Sequence, residues 1–333
     1  MKLTRRNFIK LAGITGVVAL AGGLAGCEDK SATTKNIAVA EKIPPADKAT
    51  VYFSKTIDAE HLIALYQKIN GQIVGKVAIK LHTGEPKGPN ILSPKLVQPF
   101  QAQIPNSTII EANVAYGGAR STTEGHRRVL KANGWTFCPV DIIDEDGDVD
   151  FPVGGGFHLQ KVAMGAHLTN YDSLVVLTHF KGHSMGGFGG SLKNIAIGCA
   201  SGKVGKRQVH GLEDFGEWVM GDKLMELLAD SGKAICDHFG RQIVYINVLQ
   251  RLSVDCDCAG AGAAAPEMPD LGILASTDIL AVDQASVDMI YNYPGPEKNS
   301  LIERIESRSG LRQLTAMAQH QMGTSNYELI TID

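Results

Sequence analysis

The chain of 333 residues is long enough for one large or two medium domains with an extensive hydrophobic core. Hydrophobic residues make up 44% of the sequence and charged residues 20%, which are ordinary values for a globular protein. The formal net charge of −3 gives no sign of nucleic-acid binding, so we expect no nucleic-acid partner.

The first 26 residues have the pattern of an export signal. They begin MKLTRRNFIK, with paired Arg5 and Arg6, and an apolar stretch from Leu11 to Gly26 precedes Cys27. This pattern resembles a twin-arginine signal that ends in the lipoprotein box LAGC. It predicts a cleaved signal peptide at residues 1–26, lipidation of Cys27, and a membrane-anchored, extracytoplasmic protein on the periplasmic side or the cell surface. A plain transmembrane anchor is the alternative, but the apolar stretch is short for one.

A polar tether at residues 27–50 is predicted to lead to an α/β domain at residues 51–333. Short, continuous apolar runs predict strands at residues 76–81, 108–112, 174–178, 243–248, 272–275, 279–282 and 327–332. Helical patterns cover residues 61–69, 93–100, 121–133, 159–167 and 217–239, the last with a break near residues 231 and 232. Such strands alternating with helices are typical of a layered α/β fold with a mostly parallel sheet and helices on both faces. A division into two lobes stays open.

Three of the predicted strands run into polar, glycine-rich loops, which read HTGEP, NVAYGGAR and HFKGH. Ligands of open α/β sheets bind beyond the carboxyl ends of the strands. We therefore predict a site where these three loops meet. His82, in the first loop, is a candidate metal ligand there, and a solvated turn is the alternative.

The third loop continues into a segment from Thr178 to Gly211, which combines three histidines and four lysines with many glycines. Glycine lets the backbone approach a ligand closely, and basic side chains and imidazoles supply hydrogen-bond donors and metal ligands. His179 and His183, four residues apart, are therefore candidate metal ligands, and His183 is also a candidate catalytic residue. The alternative is that one of these histidines is structural and the other exposed.

Within this segment, GGFGGSLKN is predicted to bind an anionic cofactor or small molecule. A glycine-rich loop that enters a helix near Ser191 would present backbone N–H groups to an anion. The candidate binding residues are Lys181, Gly186, Gly187, Gly189, Gly190, Ser191, Asn194 and Lys203. Further positive charge comes from the candidate catalytic residue Lys193 and from Lys206 and Arg207. The spacing is not that of a Walker motif, and a tight turn with a solvated basic face is the alternative.

The chain has six cysteines, of which five remain if Cys27 is lipidated, so a complete disulfide framework is excluded. The segment DCDC places Cys256 and Cys258 next to carboxylates. Two thiolates at this spacing suit a soft or borderline metal ion, whereas a disulfide between them would be strained. A pair of buried or reducible thiols is the alternative. The C-x₂-C-x₂-C-x₃-C run of a self-contained ferredoxin cluster is missing from the sequence.

Two aspartates, Asp278 and Asp283, bracket the predicted strand at residues 279–282. They are expected either to cap the following helix or to contribute to the site. The sequence has no GxSxG motif, so serine hydrolase chemistry is not predicted.

Four motifs in order along the chain resemble the domain-of-unknown-function 362 family, whose members are often labelled iron–sulfur centre proteins. The motifs are KLHTGE, THFKGH with the following GGFGGSLKNIAIGCASGKVGKRQVH, DCDC, and LGILASTDILAVDQAS. Many members of that family carry a ferredoxin-type insertion with eight cysteines, which this chain lacks. The resemblance implies a metal site but not a four-iron cluster.

A local segment is also similar to the lactate racemase family, whose members use a nickel pincer nucleotide. GGFGGSLKN, preceded by a histidine, is similar to the GYSGGRK region of that family. In that family a lysine of the site holds the cofactor, and histidines transfer protons or ligate nickel. Lys193 and His183 are the residues that match.

These observations predict an exported, lipid-anchored protein with a metal ion, for which iron and nickel are both considered. Its chemistry is expected to be redox or isomerase-like and to act on an anionic small molecule. The first alternative is a solute- or cofactor-binding lipoprotein without catalysis. The second is a relative of the nickel-pincer racemases.

Overall fold

The computed structural model describes residues 46–212 and 216–333. The predicted signal peptide, Cys27 and all but the last residues of the predicted tether lie outside these ranges. The described residues belong to one compact unit. Among them, no helix combines the length and the apolar character needed to cross a membrane.

An eight-stranded sheet forms the centre of the described part of the chain. Its strands are β1 (Ala49–Ser54), β2 (Val77–Lys80), β3 (Ser107–Glu111), β4 (Val140–Ile142), β7 (Ser173–His179), β10 (Ile243–Leu249), β11 (Gly272–Ser276) and β12 (Tyr327–Thr331). Their spatial order is β12-β1-β11-β10-β7-β2-β3-β4. Seven strands run in one direction, and β11 is antiparallel to both of its neighbours. The predicted mostly parallel sheet is therefore confirmed.

Two short antiparallel hairpins accompany the main sheet. One consists of β5 (Asp148–Pro152) and β6 (Lys161–Gly165). The other consists of β8 (Lys181–His183) and β9 (Gly187–Gly189), which follow directly after β7 in the chain. The second hairpin extends the carboxyl end of β7 and so brings its side chains to the edge where ligands bind in such sheets.

Helices pack on both faces of the sheet. They are α1 (Ala59–Ile69), α2 (Pro94–Ala102), α3 (Thr123–Ala132), α4 (Ser191–Gly198), α5 (Gly205–Val209), α6 (Asp222–Phe239), α7 (Ile279–Tyr291), α8 (Asn299–Ser307) and α9 (Arg312–Gln319). Successive residues of a strand point to opposite faces. In β2, Ile79 belongs to a core with Leu62 of α1, whereas Ala78 belongs to a second core with Leu192 of α4. The predicted layered α/β fold is confirmed by these two cores.

Side-chain caps fix where several helices begin. The Asp58 carboxylate accepts a hydrogen bond from the His61 N–H at 2.8 Å and starts α1. At the start of α3 the cap is Thr122, whose Oγ1 accepts from the Gly125 N–H at 3.2 Å. Each cap satisfies a backbone donor that the helix itself leaves free.

Two sequence predictions assigned the wrong type of secondary structure. The predicted helix at residues 159–167 is strand β6 followed by a short 3₁₀ turn, because β5 offers it an antiparallel partner with Val162 and Met164 buried. The predicted strand at residues 279–282 is the first turn of α7, which is capped by Asp278. A short apolar run does not distinguish a buried strand from a buried helix.

Helix α6 continues through residues 231 and 232, where the sequence predicted a break. The Ser231 hydroxyl donates to the Ala196 carbonyl of α4 at 2.7 Å. A Cβ at Gly232 would lie 2.4 Å from Leu192 Cδ1. These two small residues therefore allow α6 to pack closely on α4. The close packing compensates for the low helix propensity of glycine.

Candidate functional site

A cavity of about 390 Å³ lies beyond the carboxyl ends of the neighbouring parallel strands β7, β2 and β3. The loops after these three strands contribute His82, Tyr116 and Lys181 to its lining, and the DCDC segment contributes Cys256 and Cys258. The structure thus brings together the three polar loops and the cysteine pair that the sequence singled out. The volume is in the range of small-molecule sites.

The hairpin of β8 and β9 forms one wall of the cavity and is held from two sides. Phe180 and Phe188 stack with their ring centres 5.4 Å apart. The Gly182 N–H donates to the Ser253 carbonyl at 2.8 Å, just before the cysteine segment. A Cβ on Gly182 would lie 2.3 Å from the Val254 carbonyl oxygen, so only glycine permits this approach.

Asp257, between the two cysteines, attaches their loop to strand β7. Its carboxylate is buried and lies 3.0 Å from both His179 Nδ1 and Lys181 Nζ. Burial alone would raise the pKa of Asp257, but the charges and hydrogen bonds of His179 and Lys181 outweigh it and lower the pKa. The carboxylate therefore fixes the position of both neighbouring sulfurs relative to the sheet.

His179 is engaged at both ring nitrogens, which argues against its predicted role as a metal ligand. Nδ1 faces the Asp257 carboxylate, and Nε2 donates to the Gln250 carbonyl at 2.6 Å. Because both nitrogens face acceptors, neither has a lone pair left for a metal ion. The structure gives His179 the role of holding Asp257.

His183, Cys256 and Cys258 form the group whose ligand atoms converge. One atom of each side chain lies within 4.8 Å of the other two. His183 Nδ1 accepts from the N–H groups of Met185 and Gly186, at 3.1 and 2.9 Å. The neutral ring therefore carries its hydrogen on Nε2, which faces Cys258 Sγ at 3.9 Å, and binding of a metal ion through Nε2 would require the ring to release this hydrogen.

A hydrogen bond between the two thiols shifts their pKa values in opposite directions. A hydrogen bond from Cys258 lowers the pKa of Cys256 well below its ordinary value, and Lys181 and Lys193 lower it further despite burial. The pKa of Cys258 is raised correspondingly, because it donates the hydrogen of this bond and is buried beside a thiolate. The lowered pKa of Cys256 favours its thiolate form, which is the form that binds a metal ion.

His82 lies next to this cysteine pair and donates a hydrogen bond to Cys256. Its Nδ1 accepts from the Gly84 N–H at 2.9 Å, so the neutral ring carries its hydrogen on Nε2. A hydrogen bond between His82 and Cys256 helps to lower the pKa of that thiol. The predicted ligand His82 thus contacts a ligand sulfur in this structure and does not join the three converging ligand atoms.

The family model described as "Domain of unknown function (DUF362)" matches residues 77–288, which contain all of these residues. The chain belongs to the DUF362 family. This confirms the family resemblance of the four motifs. No curated protein matches the chain significantly.

Solved structures resemble this DUF362 protein at low identity. The lactate racemase apoprotein from Thermoanaerobacterium thermosaccharolyticum is 11% identical, with a TM-score of 0.38 over 84% of this chain and 82% of that chain. A protein from Thermotoga maritima is 9% identical, with a TM-score of 0.39 over 78% of this chain and 58% of that chain.

The glycine-rich loop of the DUF362 motif does not leave its helix N-terminus free for an external anion. The N–H groups of Ser191 and Leu192 donate to the buried Asp283 carboxylate at 2.7 and 3.0 Å. A Cβ on Gly190 would lie 2.5 Å from the same carboxylate. Asp283 thus takes the place that the sequence assigned to a bound anion at Ser191, while Asp278 caps α7.

The other predicted binding residues divide into those that line the cavity and those that do not. Gly189, Gly190, Lys181, Lys193 and Asn194 line it. Asn194 also donates to the Leu177 carbonyl and to Thr178 Oγ1, so it fixes α4 to β7. Lys203 is exposed and does not line the cavity, whereas the buried Lys206 does.

Gly186 and Gly187 serve the hairpin of this DUF362 protein rather than a ligand. A Cβ on Gly186 would contact His183 Nδ1 at 3.5 Å. Gly187 has a φ of 75° and would place a Cβ 2.7 Å from the Gly310 Cα. Gly187 therefore permits the compact turn beside α8, whereas a Cβ on Gly186 would make only ordinary van der Waals contacts.

A buried ionic network that the sequence reasoning missed forms the opposite side of the cavity. Glu111, at the end of β3, accepts from Lys80 Nζ at 3.0 Å and from Arg120 at 3.2 Å. Arg120 also donates to Glu85 at 2.7 Å, and Tyr116 donates to the same Glu85 oxygen at 2.8 Å. Glu111 could have been recognised from the sequence, because it is a charged residue at the end of the apolar run TIIEA.

Proposed function

We propose that this DUF362 protein holds a soft or borderline metal ion with Cys256, Cys258 and His183 and acts on an anionic small molecule. The observation that carries the proposal is the convergence of these three ligand atoms within 4.8 Å at the wall of the cavity. Two sulfurs and an imidazole fit the preferences of zinc, iron and other late transition metals. The low pKa of Cys256 supports deprotonation at the site.

A metal ion in this position would supply Lewis-acid or one-electron chemistry, depending on its identity. The surrounding residues bind and orient: Asp257 fixes the cysteine loop, and His82 donates to a ligand sulfur. Lys181 and Lys193 line the cavity with positive charge. This arrangement supports redox or isomerase-like chemistry on an anion.

The proposed cellular location of the protein follows from the predicted signal peptide. Cleavage of residues 1–26 and lipidation of Cys27 would place the protein outside the cytoplasm, anchored in the membrane by acyl chains. The twin-arginine pattern supports export after folding, which suits a protein that acquires its metal ion before export. Mass spectrometry of the membrane fraction tests this placement, and an unprocessed, unlipidated chain there would contradict it.

Metal content tests the proposed function. Wild type with its signal intact, purified anaerobically, is expected to contain about one metal equivalent by elemental analysis, since one of the two candidate ligand groups among the described residues contains the sulfur ligands that a soft or borderline metal ion prefers. The Cys256→Ser and Cys258→Ser variants should lose it, while Cys138→Ser, at a half-buried cysteine outside the cavity, should retain it. Wild type without stoichiometric metal would refute the proposal.

His183→Ala is expected to weaken metal binding without abolishing it. The variant removes one nitrogen and keeps both sulfurs, so we expect a loss in affinity of at least about tenfold. Competition with a chromophoric chelator measures this loss. An unchanged affinity would show that His183 is not a ligand and that the cysteines act without it.

Binding without catalysis is the second candidate, because the cationic lining of the cavity suits an anion whether or not a reaction follows. It predicts that anionic small molecules raise the melting temperature of metal-free protein and that metal removal has no effect on this shift. A shift that requires the metal ion would favour the first candidate.

A further inference from the structure

Two lysines of the cavity have no carboxylate partner among the residues that the structure describes. Lys80, Lys181 and Arg120 each form an ion pair with a buried carboxylate. Within residues 46–212 and 216–333, no carboxylate lies within 4.0 Å of Lys193 or Lys206. The cavity therefore contains positive charge that its own acidic groups do not neutralise by direct contact.

Lys206 is the more deeply buried of these two lysines, with only 5% of its surface exposed. Its ammonium donates one hydrogen bond, to the Ala200 carbonyl at 2.8 Å, and has two further donors. Burial lowers the pKa of Lys206 to about 8, although Asp144 and Glu111 act in the opposite direction. An unpaired ammonium buried at a cavity wall is costly unless an anion binds there.

His210 adds an acceptor to these two donors. Its Nδ1 donates to the Lys206 carbonyl at 2.7 Å, so Nε2 of the neutral ring keeps its lone pair. Burial, together with the nearby charges of Lys193 and Lys206, lowers the pKa of His210 to about 4, so the ring is neutral at physiological pH. The ring lines the cavity and packs edge-on against Trp218 at 4.5 Å.

A ligand that fits these three residues needs negatively charged oxygens for the two ammonium groups and an O–H group for His210 Nε2. A singly protonated phosphate offers both in one tetrahedral group. Sulfate has the same shape and charge but no O–H at neutral pH, and a simple carboxylate has only two oxygens and no donor. The cavity is large enough for a phosphorylated small molecule.

We propose that Lys193, Lys206 and His210 bind the phosphoryl group of a small phosphorylated ligand, in the form that keeps one P–OH. This inference deepens the proposed function by naming the class of its anionic ligand. It rests on the proposed function only in treating this cavity as the site, because no metal ion is needed for the three contacts.

Titration calorimetry of the full chain with inorganic phosphate, sulfate and acetate tests the proposal at pH 7. Phosphate should bind at least about tenfold more tightly than sulfate, because sulfate leaves His210 Nε2 without a donor. Lys206→Met should weaken phosphate binding at least about tenfold. His210→Phe should reduce phosphate to the affinity of sulfate. Lys203→Met, at an exposed lysine outside the cavity, is the matched control and should bind like wild type.

Lys193→Met provides a second test if Lys206→Met does not fold, since Lys193 is only half-buried. Equal affinities of wild type for phosphate and sulfate would overturn the role of His210. Tighter binding of acetate, or the absence of phosphate binding at millimolar concentration, would overturn the ligand class.

Metal-loaded and chelator-treated samples are titrated in parallel. Normal metal content without phosphate binding would refute this inference alone. Phosphate binding by a protein that never contains metal would refute the metal proposal alone.

Discussion

The Asp257→Ala variant is expected to lose about 3–5 kcal/mol of unfolding free energy, because it leaves the buried Lys181 ammonium and the buried His179 ring without their carboxylate partner. His179 Nδ1 and Lys181 Nζ each lie 3.0 Å from this carboxylate, and Asp257 is 2% exposed. Urea unfolding of metal-free protein measures the loss, so the metal ion does not contribute to the result.

Asp150→Ala is the matched control for this prediction. Asp150 also forms an ion pair, with Lys161 at 2.6 Å, but both side chains are about half exposed. An exposed pair contributes about 0–1 kcal/mol, so the control should unfold nearly like wild type. Equal effects of the two substitutions would show that Asp257 does not hold the cysteine loop as we infer.

Asp283→Ala is expected to cost about 3–5 kcal/mol, because three buried donors lose their acceptor. These donors are the N–H groups of Ser191 and Leu192 and the Asn247 side-chain amide at 2.8 Å. Asp278→Ala, at the ordinary cap of α7, should cost only about 1 kcal/mol. Thermal unfolding of the two variants compares them directly, and a smaller loss for Asp283→Ala would contradict the internal cap of α4.

The stability that Asp283 contributes should depend on pH in a defined direction. Burial raises its pKa to about 6 from an ordinary value of 3.8, despite the three donors. The contribution is therefore complete below pH 3.8 and declines as the pH rises through 6. Between pH 5 and pH 8 wild type should lose about 1.4 kcal/mol that Asp283→Asn, which cannot titrate, does not lose. Parallel urea titrations at both pH values measure the difference.

Much of the fold could be predicted because buried parallel strands are short, continuous apolar runs. The strands at residues 76–81, 174–178 and 243–248 follow this rule and were placed within two residues of their observed ends. The same rule failed at residues 279–282, where the apolar run belongs to a helix buried on nearly all sides. At residues 159–167 the deciding factor was pairing with β5, which a local pattern does not contain.

The site could be predicted at the level of loops but not of individual contacts. The topology brings three strand ends together, and their polar loops could be recognised from composition alone. Sequence spacing does not reveal that Asp283, about ninety residues away, occupies the N-terminus at Ser191. It also does not reveal that both nitrogens of His179 are engaged, or that Lys206 and not Lys203 faces the cavity.

Anaerobic titration of the metal-free protein with Co²⁺ tests the central claim most directly. Thiolate ligands give a sulfur-to-cobalt charge-transfer band, which should grow to saturation at one equivalent in wild type. The band should be absent from the Cys256→Ser/Cys258→Ser double variant and unchanged in Cys138→Ser. A wild type without this band, or a double variant that keeps it, would contradict a metal centre formed by His183, Cys256 and Cys258.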